Sequence, residues 1–375
     1  MKIFVNATAA DVGGLKSIVE HFLAHISQNG YGNVYYVFVS NDQFDTYSNE
    51  TIKLIKVNSK KWIKRIVWDF SGMKHWAIKN NIKPDQIVSL QNTPVNYKKI
   101  DQIIYLHTPL PFVNYQWNIF KRTERKLWFY KNIYPFFIKL FWNEKCKIVV
   151  QANWLKTRVT HMLKIDKSKV FVIKPDFSLK EELESRNGKL EYKNKKLEEE
   201  IFMFYPAIDY LYKNHLTIFK ALKLIKKNNP QLYNKLKFVI TVNKNTETYQ
   251  YARELGIESA VEFIGRVPFP QIIREYKRCK FVLFPSYIET AGLPLLEAAY
   301  FNKLIICADE LYSKELIGDY EGINFIPAFD VNEWKNMIEY FAEVDIEPFK
   351  YEIQSINSSW EEFMLLIKKG DKIEN

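Results

Sequence analysis

Two runs of alternating strand and helix signals, separated by a charged stretch, constrain this chain more than any other feature. Residues 1–6 read as a short apolar strand. A small-residue loop ending in Gly13-Gly14 follows, and Leu15, Ile18, Val19, Phe22, Leu23 and Ile26 then recur at helical spacing. The run 35–39 is the next strand. Strand, glycine loop, helix, strand is how a doubly wound α/β domain begins, because parallel neighbours need a crossover between them. Further strands are expected at 86–90, 102–106, 147–150 and 170–173. Residues 180–200 are charged and poor in aromatics, which places an interdomain linker near 176–198. A second series then runs through strand 201–205, helix 215–226, strands 238–242 and 261–264, helix 270–279, and strands 281–284 and 303–307. An amphipathic stretch, 360–367, comes last.

Composition narrows the class. Of 375 residues, 47% are apolar, enough for real cores. The three cysteines, Cys146, Cys279 and Cys307, are widely spaced with no Cys-x-x-Cys, which argues against a disulfide framework or structural zinc and fits a reducing compartment. The N-terminal residues lead straight into a strand pattern with no signal-peptide pattern before it. The longest uncharged stretch, 102–120, is broken by prolines and polar residues, so no transmembrane helix is expected. Charge is uneven: residues 1–175 hold 27 Lys and Arg against 11 Asp and Glu, whereas the remainder holds 27 against 32. The basic half therefore suits an anionic partner: a membrane surface, a polyprenyl diphosphate or nucleic acid. Basic and aromatic residues interleave in 60–68 and again in 112–147, a pattern that fits either interfacial helices on an anionic bilayer or ordinary helices with a solvated basic face.

The densest chemical signal is Pro285-Ser286-Tyr287-Ile288-Glu289-Thr290-Ala291-Gly292-Leu293-Pro294-Leu295-Leu296-Glu297. An apolar strand precedes it, and Gly292 and Pro294 open a helix. A helix N-terminus offers backbone N–H groups and a positive dipole end to a diphosphate. Glu297, one turn inside, suits a ribose diol, and Glu289 lies on the loop before the helix. The block resembles the Glu-x7-Glu signature of retaining glycosyltransferases of family 4, which adopt the two-domain GT-B fold. The resemblance implies that Glu289 lies near the donor sugar, that the amides of Gly292 and Leu293 meet the diphosphate with Thr290 and Ala291 beside them, and that Glu297 holds the ribose.

Other segments extend the resemblance. Gly13 and Gly14 sit between strand and helix, where glycine permits close approach of a ligand, and they match the family's N-terminal glycine loop. His107 ends an apolar strand, a position where open sheets bind ligands. The segment His107-Thr108-Pro109-Leu110-Pro111-Phe112 is similar to one in family members that build bacterial surface polysaccharides, in which the histidine lies at the transfer centre. Lys213 precedes a helix and can neutralise a leaving diphosphate. The family usually has an arginine five residues earlier, where this chain has Ile208, so Arg266 is a candidate second cation. Gly265 aligns with a family glycine near the nucleotide base. Asp309 and Ser359-Trp360 match family positions and serve as fold markers. His21 and His25, four apart on the first helix, are read as surface histidines rather than a metal pair.

The expected architecture is α/β, GT-B: two doubly wound Rossmann-like domains facing across a cleft. Residues 1–175 would form the acceptor-binding domain and 176–349 the nucleotide-sugar domain, with a C-terminal helix (about 350–375) returning to the first. The implied activity is metal-independent, retaining transfer from a nucleoside diphosphate sugar to a glycan acceptor, lipid-linked, in capsule or O-antigen assembly. No cofactor is expected, and the location is cytoplasmic, peripheral at the inner face of the membrane. A non-catalytic membrane-associated scaffold of the same fold is the alternative. A basic nucleic-acid binder is a further one, with no recognised motif behind it.

Overall fold

The computed structural model describes residues 1–11, 14–59, 61–175, 200–347, 349–351 and 359–368. Gly13, Lys60 and the expected linker 176–198 lie outside the described residues. The chain forms two compact units, Met1–Asp176 with Ile356–Asn375, and Phe177–Ser355.

In chain order the elements of the first unit are β1 (Lys2–Asn6), α1 (Gly14–Asn29), β2 (Val34–Val39), β3 (Ile52–Lys56), α2 (Trp62–Val67), α3 (Met73–Lys79), β4 (Gln86–Ser89), β5 (Asp101–Tyr105), α4 (Arg125–Asn132), α5 (Tyr134–Leu140), β6 (Cys146–Val150), α6 (Asn153–Leu163) and β7 (Val170–Val172). A π-helical turn, Trp68–Gly72, joins α2 to α3. The second unit holds β8 (Ile201–Tyr205), α7 (His215–Asn228), α8 (Pro230–Tyr233), β9 (Leu236–Ile240), α9 (Glu247–Glu254), β10 (Val261–Phe263), α10 (Phe269–Arg278), β11 (Phe281–Phe284), α11 (Leu293–Tyr300), β12 (Leu304–Ala308), α12 (Leu311–Ile317), β13 (Ile323–Ile326) and α13 (Val331–Glu343). The last helix, α14 (Ser359–Lys368), belongs to the first unit.

The first unit's sheet is parallel, ordered β3-β2-β1-β4-β5-β6-β7. Strand alternation sends Ile3 and Val5 to one face and Phe4 to the other. On the first face they pack with Phe22 and Leu23 of α1 and with α14. Trp360 lies near-parallel to Tyr105 at 5.8 Å and edge-on to Phe22 at 5.4 Å, and Phe363 touches both rings. The expected return of the closing helix is therefore a packed aromatic core. On the opposite face Phe4 and Phe38 meet Trp68, Met73 and Ala77.

The second sheet, also parallel, is ordered β10-β9-β8-β11-β12-β13. Strands β3 and β13 carry no uniformly apolar run and were not expected. Both are edge strands, and only Ile52 of one and Ile326 of the other are fully buried. Helix α13, also unexpected, is capped by Asp330, whose carboxylate accepts from the N–H groups of Asn332 and Glu333, and it buries Trp334, Ile338 and Ala342 at four-residue spacing. Cys146, Cys279 and Cys307 are buried free thiols.

Candidate functional site

In an open parallel sheet the crevice forms at the carboxyl ends of the strands where the order reverses. In the second unit that point lies between β8 and β11. The loops leaving these strands carry Lys213 and Glu289.

A 3₁₀ turn, Leu211–Lys213, precedes Asn214, which adopts a left-handed conformation (φ 59°) before α7. Asparagine tolerates this region better than most residues. Its amide nitrogen donates to the carbonyls of Pro285 (3.1 Å) and Ala328 (2.7 Å), and its oxygen accepts from Thr217 Oγ1 (2.8 Å). The Tyr205 hydroxyl donates to the Lys213 carbonyl at 3.1 Å, and the Tyr287 N–H donates to the Tyr212 carbonyl at 3.1 Å. These bonds sew the two loops together, and Lys213 Nζ consequently donates to Glu289 Oε1. The pair is mostly buried, with 13% and 14% of the side chains exposed. Burial and the Glu289 charge push the Tyr205 hydroxyl well above its ordinary value; Tyr312 is raised by burial, by Cys307 and by Glu289. Both therefore act as neutral donors.

Helix α11 opens on Gly292 with φ 69°, a conformation that favours glycine. Pro294 brings no N–H, and the Leu295 N–H is spent on the Gly292 carbonyl at 2.8 Å. The amides of Gly292 and Leu293 are thus the ones this turn can present to an anion. Thr290 is half-buried beside them and Ala291 buried. One turn further, half-buried Glu297 accepts from the Tyr276 hydroxyl at 2.9 Å; that hydroxyl also reaches the Pro294 carbonyl at 3.0 Å. Tyr276, which holds Glu297, and Asn214, which ties down the loop carrying Lys213, had no periodic signal in the sequence.

Gly265 also has positive φ (68°), and its N–H donates to the Val242 carbonyl at 3.2 Å; an added Cβ would stand 2.4 Å from Asn243 Oδ1. Arg266 next to it is exposed. Asp309 makes an exposed ion pair with Lys314 at 2.6 Å.

In the first unit Gly14 opens α1, while Gly13 lies outside the described residues. His107 follows β5, and its backbone N–H donates to Asn92 Oδ1 at 2.7 Å. Burial lowers the ring to about 4, against stabilisation of its charged form by the backbone carbonyls of Leu90 and His107 itself. Of the two histidines of α1, His21 is exposed as expected, whereas His25 is half-buried and its Nε2 is hydrogen-bonded to the Tyr31 hydroxyl at 2.6 Å. Among the described residues no three His, Cys, Asp or Glu side chains gather as a metal site.

The two basic aromatic segments meet. Trp62 of α2 packs edge-on against Phe129 (5.2 Å) and Phe137 (4.9 Å), and Phe70 meets Phe141 at 5.9 Å. Ile63, Val67, Phe70, Phe120 and Phe136 are all more than half exposed, with Lys61, Lys64, Lys126 and Lys139 exposed among them. Among the described residues no helix is long and apolar enough to cross a membrane.

Residues 187–352 match the family of glycosyl transferases group 1. A D-inositol 3-phosphate glycosyltransferase of Corynebacterium aurimucosum is 26% identical over 104 residues, 28% of this chain and 25% of that relative, so the match spans about a quarter of its length. The fold is that of GT-B glycosyltransferases. WaaG, a glycosyltransferase involved in lipopolysaccharide biosynthesis, superposes with a TM-score of 0.64 at 14% identity, covering 91% of this chain and 90% of its own. The lipopolysaccharide outer core galactosyltransferase WaaB gives 0.60 at 15% identity over 98% and 99%. Anabaena Alr3699/HepE, in complex with UDP and glucose, gives 0.58 at 14% over 92% and 90%.

Proposed function

We propose that this protein is a retaining glycosyltransferase of family 4. It moves a sugar from a nucleoside diphosphate sugar to a glycan acceptor carried on a polyprenyl diphosphate, in assembly of a surface polysaccharide such as capsule or O-antigen. The observation that carries the reading is the enclosed Lys213–Glu289 pair beside the Gly292 and Leu293 amides, with Glu297 one turn away. The solved structure holding UDP and glucose supports the donor class, and the two lipopolysaccharide enzymes of the same fold support a place in surface-glycan assembly.

In this reading the charge that grows on the departing diphosphate is met by Lys213 and the amides of Gly292 and Leu293, with the Gly13-Gly14 loop as a further source. Fixed donors in a water-poor site supply such stabilisation without reorganisation, and no metal is required. Glu297 takes the ribose hydroxyls, and the base lies by Gly265. Arg266 is the second cation in place of the family arginine. Glu289 and His107 orient the sugar. Residues 1–175 bind the acceptor, and the aromatic basic face formed by 62–70 and 119–141 rests on the anionic inner face of the cell membrane.

Calorimetric titration with UDP-, GDP- and dTDP-sugars, with and without EDTA, tests the donor site. One nucleotide sugar should bind saturably, and Glu297→Ala should abolish that binding. Absence of binding to every member of the panel would overturn the reading in favour of the scaffold. Flotation with vesicles of neutral or anionic lipid tests the surface, and Phe136→Asp should release the protein from anionic vesicles.

A further inference from the structure

The carboxyl edge of the first sheet carries a polar network that the reading above leaves unused. Strand order in this sheet reverses between β1 and β4, and the network is built on the residues at their ends. Asn6 Nδ2 donates to Asp69 Oδ1 at 2.8 Å, and Asn6 Oδ1 accepts from Trp68 Nε1 at 3.2 Å. The Asp69 carboxylate also accepts from Gln91 Nε2 at 3.1 Å and from Thr93 Oγ1 at 3.1 Å. Gln91 Oε1 in turn accepts from Thr8 Oγ1 (3.0 Å) and the Ala9 N–H (3.1 Å). Asp69 thus pins the residues on either side of Asn92.

Asn92 is nearly fully buried and sits at φ 71°, in the left-handed region. Its Oδ1 accepts the backbone N–H groups of His107 (2.7 Å) and Thr108 (3.2 Å). Two N–H donors require the oxygen at that end of the amide, so the orientation of the amide is fixed. The nitrogen end therefore faces His107 Nε2, at 3.2 Å, and also the Tyr134 hydroxyl. An amide nitrogen only donates, and the ring nitrogen it meets must accept.

We infer that Asn92 is the positioning residue of His107: it locks the ring through backbone and side chain together and holds the imidazole proton on Nδ1. For its kinetic consequence the inference rests on the role given to His107 above. His107 then works as a neutral, fixed hydrogen-bonding group rather than as a base at Nε2, whose lone pair is occupied. Groups near the ring include Tyr105, at 6.4 Å between ring centroids, Tyr134 across the Asn92 amide, Asp69 beyond Gln91 with Arg65 acting on it, and the backbone carbonyls of Leu90 and His107 itself. Burial lifts Asp69 to about 7 despite its three donors.

The experiment is a two-bond proton–nitrogen correlation spectrum of the histidine rings in the full, ¹⁵N-labelled chain, with His107→Gln to identify the signals. The wild type should show His107 protonated at Nδ1 and unprotonated at Nε2 from pH 8 to pH 5. Asn92→Asp sets a carboxylate against Nε2 and should raise the titration midpoint by about one pH unit or more. Asn92→Gly keeps the left-handed backbone at no steric cost but removes the amide. With it kcat should fall about ten- to a hundredfold while KM for the nucleotide sugar stays within about threefold. A wild-type ring protonated at Nε2, an unmoved midpoint in Asn92→Asp, or an unchanged kcat in Asn92→Gly would each overturn the assignment. If wild type transfers no sugar at all, the role of His107 fails, and the spectrum still decides whether Asn92 fixes the ring.

Discussion

Gly292→Ala tests the geometry of the candidate donor loop directly. At φ 69° an L-residue meets its own carbonyl, a penalty of about 1–2 kcal/mol. The added Cβ would also stand 3.2 Å from two ring carbons of Tyr312. That ring cannot move aside easily, because it is buried and its hydroxyl donates to the Ser286 carbonyl at 2.6 Å. Crowding of this kind adds about 1–3 kcal/mol, so the total expected loss is about 2–5 kcal/mol. Gly256→Ala is an internal control. It shares the backbone conformation (φ 66°), and its new Cβ would meet only Lys226 Nζ, at 3.8 Å. Urea unfolding of both variants, followed by tryptophan fluorescence and circular dichroism, separates the two contributions. Gly256→Ala should lose the backbone part alone, and Gly292→Ala clearly more. Equal losses within about 0.5 kcal/mol would refute the argument from Tyr312. A Gly292→Ala protein as stable as wild type would refute the backbone assignment as well.

Trp360→Ala should remove about 3–5 kcal/mol from the first unit, because its ring fills the space between Tyr105 and Phe22. Limited proteolysis should then cut within residues 1–176 and spare the second unit, and an unchanged pattern would count against that packing. Burial holds His107 at about 4 and His215 at about 3, below the ordinary histidine value. As pH falls below about 6.5, the unfolded chain takes up protons at both rings that the folded one refuses, whereas Asp69, lifted to about 7 in the folded chain, works in the opposite sense and offsets about one ring, so a shallow decline in stability should remain down to about pH 4. His215→Leu should flatten that decline in urea midpoints taken between pH 7.5 and 5, and an identical slope would contradict it.

Much of this was legible because burial writes itself into spacing. Helix α1 declares its face at Val19, Phe22, Leu23 and Ile26, all buried, and the runs that became β1, β2 and β11 are as apolar as their central places require. The edge strands β3 and β13 escape such a reading, with one fully buried residue each, whereas the edge strands β7 and β10 keep a readable apolar pattern. The acids and the lysine could be named from residue type and flanking elements. That Lys213 and Glu289, 76 positions apart, form an ion pair could not. Their approach depends on Asn214, whose left-handed turn leaves no periodic trace. Asn92 is hidden in the same way. His25 looked solvated because Tyr31, its partner, lies beyond the helix.

The packing of α14 also sets an order of assembly during synthesis. Phe177–Ser355 is one uninterrupted stretch and can finish folding as soon as it clears the ribosome. The first unit is translated earlier yet must wait, with Phe22, Tyr35 and Tyr105 uncovered on one sheet face, until Trp360, Phe363 and Met364 arrive. The part made first is therefore completed last, and a chain cut before residue 359 would leave that aromatic sheet face uncovered.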